Sequence, residues 1–103
     1  MFSTLKNLFG FGSKINLSEL IQNGATIVDV RTPGEFSRRH VKGSLNIPLD
    51  KLAAQSSKLK GKKPLIMCCA SGMRSATATS LLKSKGFEDV YNGGSWTNVN
   101  RHI

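Results

Sequence analysis

Residues 65–75 read Leu65-Ile66-Met67-Cys68-Cys69-Ala70-Ser71-Gly72-Met73-Arg74-Ser75. The first five are apolar without a polar break, the pattern of a strand buried on both faces. A short loop of small and polar residues follows. Ser75 to Lys85 is then rich in Ala and Leu, with Lys83 and Lys85 at its end and Gly86 as a stop. Basic residues suit the negative end of a helix dipole, and Gly closes the helix. A strand that passes through a short loop straight into a helix aims the loop and first-turn N–H groups at one spot. That spot lies beyond the carboxyl end of the strand, where open parallel sheets bind ligands. Cys69 stands there.

Working outward, Thr26-Ile27-Val28-Asp29-Val30 is a β-branched apolar run between Gly24 and Pro33, and reads as a second buried strand. Two helix starts flank it. Asn16-Leu17-Ser18-Glu19 offers a capping residue with Glu three positions on, and Thr32-Pro33-Gly34-Glu35 repeats this with Pro at the first helical position. Ser44 to Ile47 is a short strand stopped by Pro48, and Leu49 to Leu59 has a weak helical period. Asp89 to Asn92 is a last short strand, followed by Gly93-Gly94 and a short helix around Trp96. Strands alternate with helices, so the expected class is α/β, with a mainly parallel sheet covered on both faces. One domain is expected over residues 14–103, after an N-terminal segment 1–13 that docks on it or frays.

The chain has 103 residues, enough for one core without a disulfide scaffold. Its two cysteines are adjacent, which points to thiol chemistry in a reducing compartment rather than to a structural bridge. No apolar run approaches the roughly 18 residues of a membrane span, so no integral membrane segment and a cytoplasmic location are expected. The net charge is +9 and the pI about 10.1. Lys58, Lys60, Lys62 and Lys63 surround Gly61 in loop composition, without the interleaved aromatics of a base-stacking surface. Anionic small substrates are therefore the expected partners, not nucleic acid. No zinc-ligand spacing occurs, and no metal or cofactor is expected.

A free thiol with a pKa near about 8.5 is only a few per cent ionised at neutral pH. Lowering that value by about two units takes roughly 2.7 kcal/mol of differential stabilisation. A nest of N–H groups, with Gly72 permitting the turn and Arg74 adding a positive fork, is a plausible source. The same nest would hold a persulfide anion.

The Cys69–Ser75 segment resembles the active-site loop of the rhodanese family, Cys-x-x-Gly-x-Arg-Ser. Val28 to Phe36, continuing through His40 to Pro48, resembles that family's upstream signature, and Gly93-Gly94-Ser95-Trp96 its C-terminal signature. The resemblance implies a five-stranded, mainly parallel sheet between helices. It implies a sulfurtransferase that moves sulfane sulfur from a donor such as thiosulfate through a Cys69 persulfide, with cyanide, a small thiol or a protein as acceptor; separately from the resemblance, a monomer is expected. Cys69 would be the catalytic residue, with Ala70, Ser71, Gly72, Met73, Arg74 and Ser75 forming the substrate-binding loop. Two departures are visible: Arg39 stands where Gly often precedes the signature His, and the helix after Trp96 is short.

Other residues have plainer readings. Cys68 points to the opposite face of its strand and is expected in the core. Asp29 and Arg31 are expected to form an internal ion pair, and Glu35 to serve its capping box. His40 is read as packed and hydrogen-bonded, not as the base of a Cys–His dyad. His102 is expected to be exposed, and Trp96 to be core or the lid of a crevice. Two other functions compete with the sulfurtransferase: a relay module that presents a persulfide to a protein partner, and a phosphatase or arsenate reductase. Counted from Cys68, Arg74 fits a Cys-x5-Arg motif, but Ser71 then stands where that motif has Gly. Counted from Cys69, Gly72 falls correctly.

Overall fold

The computed structural model describes residues 15–103. The N-terminal segment 1–13 therefore lies outside the described residues. In chain order the elements are α1 (Leu17–Gln22), β1 (Thr26–Asp29), α2 (Pro33–Arg38), β2 (Leu45–Asn46) and α3 (Leu49–Gln55), which passes into a 3-10 turn (Ser56–Leu59). They continue with β3 (Leu65–Cys69), α4 (Met73–Ser84), β4 (Val90–Ser95) and α5 (Trp96–Asn100). The capping signals act as written. Asn16 accepts a hydrogen bond from the Glu19 N–H. Thr32 and Glu35 close a full capping box with Pro33 in the first turn.

The strands lie in the order β2-β1-β3-β4, and every pairing is parallel. The order reverses between β1 and β3, the kind of switch point beyond whose carboxyl ends open parallel sheets bind ligands. Cys69 ends β3 at this edge. The sheet has four strands among the described residues, where the family resemblance implied five. The residues themselves marked four apolar strand segments, and each is present. The remaining described segments are helical or broken by glycine turns, so none of them supplies a fifth.

Side chains alternate across the sheet as the pleat requires. Val28, Val30, Leu65, Met67, Cys69 and Val90 pack on one face against Leu52, Leu59, Ala78 and Leu82 from α3, the 3-10 turn and α4. Ile27, Ile66 and Cys68 pack on the other against Leu17 of α1, Val41, and Val99 and Trp96 of α5. The two adjacent cysteines thus belong to different cores.

The last strand differs from its sequence reading. It runs past Asn92 through both glycines to Ser95, because the register shifts at Met67/Cys68 and pairing resumes with Cys68 opposite Gly94 and Cys69 opposite Ser95. The bulge brings the Gly93 backbone hard against the second core. A Cβ there would lie 2.6 Å from Ile66 Cγ2 and 2.7 Å from Val99 Cγ2. Gly93→Ala is expected to cost about 1–3 kcal/mol through overpacking, read as a fall in midpoint temperature. Gly34→Ala is the control: its nearest neighbour would be Thr32 Oγ1 at 4.0 Å, and its effect should be neutral or up to about 1 kcal/mol stabilising.

Candidate functional site

Cys69 is fully buried on the α4 side of the sheet. Its sulfur is not left to apolar contacts. Gly72 donates its N–H to Sγ at 3.0 Å and Ser75 donates its N–H at 3.3 Å, while the Ser75 hydroxyl lies 3.5 Å away. Gly72 makes this convergence possible. It caps α4 with φ of 102°, a left-handed conformation that side chains resist, and so turns the chain from β3 into the helix around the sulfur. The twelve-residue α4 then adds the positive end of its dipole to the same spot.

These contacts decide the state of the thiol. Burial alone raises its pKa. The Ser75 hydroxyl and the N–H groups of Ser75, Gly72 and Ser71 act against that, and together they hold Cys69 below the ordinary value. Cys68, one residue earlier, has no such donors. Burial first, then the nearby Asp29 carboxylate, push it up to about 12. One strand therefore carries one thiol eased toward ionisation and one held protonated, separated only by the alternation of the pleat.

The other loop residues divide by position. Ser75 is buried beneath the sulfur, whereas Ala70 and Ser71 are exposed. The Met73 side chain is 78% exposed, so only its backbone belongs to the loop's inner surface. Arg74 stands at the rim, and its guanidinium is turned onto Glu35 of α2: Nη1 donates to Oε1 at 2.9 Å and Nη2 to Oε2 at 3.1 Å. Arg74, and after it the Thr32 N–H, hold the Glu35 carboxyl down at about 2. Glu35 therefore serves two structures, its own helix cap and the arginine of the loop. Sequence reading found only the first, since the second joins residues 39 apart in the chain.

Asp29 and Arg31 form the expected internal ion pair, with Nη2 on Oδ2 at 2.7 Å and Nε on Oδ1 at 2.9 Å. Asp29 is opposite Cys68 in the register, so the pair serves the Cys68 face and not the Cys69 nest. Arg31 also donates to the Arg39 carbonyl at 2.7 Å and stacks on Trp96, 5.1 Å from the ring centroid. Trp96 is half-buried against the second core. His40 is exposed at its edge but stacks on Phe36 and donates Nδ1–H to the Phe36 carbonyl at 2.7 Å. His102 is exposed, with Nδ1 3.0 Å from the Ser18 hydroxyl. No group of metal-binding side chains occurs among the described residues, and no described helix is long and apolar enough to cross a membrane.

A buried cysteine at the head of a loop-to-helix turn, with backbone donors converging on its sulfur, is an arrangement that favours a negative charge there. Comparison with known proteins agrees in class. Residues 13–101 match the rhodanese-like domain family, and the chain belongs to that family. It is 36% identical to the thiosulfate sulfurtransferase GlpE of Ectopseudomonas mendocina over 73 residues, 71% of this chain and 67% of that protein. It is 35% identical over 68 residues to the uncharacterized protein YqhL of Bacillus subtilis, covering 66% of this chain and 54%, about half, of YqhL. Among solved structures, the reduced CoADR-RHD of Bacillus anthracis superposes with a TM-score of 0.75 at 28% identity, over 98% of this chain and 18% of that one.

The contrast between the two thiols has a direct consequence. Limited treatment with iodoacetamide at neutral pH should modify Cys69 and leave Cys68 intact in the folded protein, read by peptide mass spectrometry. Equal labelling of both, or labelling of Cys68 first, would contradict the geometry.

Proposed function

We propose that the protein is a sulfurtransferase that carries sulfane sulfur on Cys69. The observation that carries this reading is the pair of N–H donors from Gly72 and Ser75 at 3.0 and 3.3 Å from the buried sulfur. They favour an anion at the one position that the family resemblance marks as reactive.

The reaction follows from the chemistry of that anion. The Cys69 thiolate attacks the outer sulfur of a thiosulfate-like donor. The new S–S bond forms as the donor's S–S bond breaks, and sulfite leaves with the bonding electron pair. The product is a Cys69 persulfide whose terminal sulfur carries the negative charge, held by the same loop donors. A thiophilic acceptor, cyanide or a thiolate, then attacks the terminal sulfur and returns Cys69 to its thiolate. This is covalent catalysis in ping-pong order. No base is required once the thiol is ionised, which fits the position of His40 on Phe36 and not on the sulfur.

Arg74 is the anion ligand of this reading. Both of its Nη groups are engaged by Glu35, which leaves its Nε–H and outer N–H groups for the donor's sulfonate oxygens. The likeness to GlpE supports thiosulfate as the donor class. Hydrolysis of phosphate esters is disfavoured, since Cys68, the cysteine that a Cys-x5-Arg motif would use, belongs to the opposite core.

Intact-mass measurement under anaerobic conditions tests the proposal. Thiosulfate should add one sulfur atom, removable by a reducing thiol. Cys69→Ser should abolish the adduct. Cys68→Ser should keep it, while losing about 1–3 kcal/mol of stability to a buried hydroxyl. Arg74→Ala should raise the thiosulfate KM roughly tenfold or more, as expected for loss of a charge-assisted hydrogen bond. Arg74→Lys should recover only part of that. Persulfide formation without turnover on small acceptors would favour the relay module. Absence of the adduct, or phosphatase activity that depends on Cys68, would overturn the proposal.

A further inference from the structure

The hydroxyl of Ser75 has one proton, three oxygen acceptors and the Cys69 sulfur around it, the sulfur donating as a thiol and able to accept as a thiolate. Asn92 Oδ1 lies at 2.6 Å, Gly72 O at 3.1 Å, Gly94 O at 3.4 Å and Cys69 Sγ at 3.5 Å. The shortest contact is with Asn92, which reaches across from β4. The orientation of the Asn92 amide is fixed by its surroundings. Oδ1 also accepts the Gly94 N–H at 2.9 Å, and Nδ2 donates to the Gly72 carbonyl at 3.3 Å. A flipped amide would set donor against donor and acceptor against acceptor. Asn92 thus braces both the bulge in β4 and the turn that caps α4. At the same time it holds the hydroxyl that faces the sulfur.

We propose that Asn92 is a positioning residue for Cys69, acting through Ser75: its carbonyl competes with the sulfur for the single hydroxyl proton. In the thiol state the chain of donors runs from Cys69 S–H to Ser75 Oγ, and from Ser75 O–H to Asn92 Oδ1. In the thiolate state the sulfur has no proton to give, so the Ser75 O–H turns to Sγ and joins the two N–H donors. Asn92 Oδ1 then keeps only the Gly94 N–H. The balance between these arrangements sets how readily Cys69 ionises, and a persulfide at the same place meets the same choice. This rests on the reading of Cys69 as the sulfur carrier.

The ionisable groups near Cys69 are few. Arg74 comes from α4, with Glu35 of α2 paired to it. Cys68 of β3, and Asp29 and Arg31 beside β1, serve the opposite face. Tyr91 of β4 gives its hydroxyl to Asp89. None of them contacts Asn92, so a change at Asn92 reaches the sulfur through Ser75, through the Gly72 turn or through space.

The test is a double-mutant cycle on the pH midpoint of Cys69 alkylation by iodoacetamide, in a Cys68→Ser background. Asn92→Asp puts a stronger acceptor beside the Ser75 proton and should raise the midpoint by about one pH unit. Ser75→Ala removes the donor and should also raise it. The Asn92→Asp shift should shrink to less than half in the Ser75→Ala background. An equal shift in both backgrounds would mean an effect that bypasses Ser75, through space or through the Gly72 turn, and overturn the proposal. So would a midpoint unmoved by Asn92→Asp despite a lower unfolding temperature, the result of a purely structural role. If Asn92→Asp does not fold, Asn92→Ala serves: freeing the hydroxyl should lower the midpoint, and an unchanged midpoint overturns the proposal. Alkylation needs no sulfur donor, so its outcome is independent of whether thiosulfate loads Cys69.

Discussion

Two opposing forces meet at the Cys69 sulfur, and the rest of the site follows from how they balance. Burial in a low-dielectric core penalises a thiolate, by as much as several pKa units for a fully enclosed group. Hydrogen bonds to the anion act in the other direction, and they are strongest where water is excluded. Here the backbone supplies them from Gly72 and Ser75. They are fixed in place by a left-handed glycine and the first turn of a twelve-residue helix. Backbone donors suit this task because they are held by secondary structure and cannot swing away. The thiol can therefore be both hidden and ionisable.

The fold exists to place that sulfur. A parallel strand delivers Cys69 at the sheet's carboxyl edge, next to the reversal of strand order. The pleat sends Cys68 to the other core, where burial pushes it up to about 12 and keeps it protonated at neutral pH. The bulge in β4 matters equally. By shifting register at Gly93 it brings Asn92 over Ser75 and returns Gly94 and Ser95 to pairing beside the loop. Close contact of Gly93 with Ile66 and Val99 ties this bulge to the second core. Packing on one face of the sheet is in this way linked to chemistry on the other. On the rim, the Glu35–Arg74 pair joins the α2 cap to the loop. It is more than a third exposed on both sides, so solvent keeps its contribution to stability to about 1 kcal/mol or less. Its effect is to orient the arginine.

Much of this was legible in the amino-acid chain, for reasons that can be stated residue by residue. Unbroken apolar runs such as Leu65–Cys69 announce strands buried on both faces. Thr32-Pro33-Gly34-Glu35 announces a helix start because capping is a contact between near neighbours. The Cys69–Ser75 loop was readable because its donors are backbone groups of the same short segment. What escaped depends on contacts between distant residues. Glu35 reaches Arg74 and Asn92 reaches Ser75 only after the sheet has assembled, and no local pattern encodes either pairing. The double glycine looked like the end of β4, because glycine usually weakens strands, whereas here it forms a bulge within one. The fifth strand came from family likeness alone, and the sheet of the described residues has four.

The most direct test of the central balance is a thiolate titration of the Cys68→Ser protein, followed by ultraviolet absorbance across neutral pH. With one thiol left, the titration reports Cys69 alone. Donors that outweigh burial predict a midpoint clearly below the roughly 8.5 of a free cysteine. A midpoint at or above that value would mean that burial wins, and that Cys69 is a core residue and not a sulfur carrier.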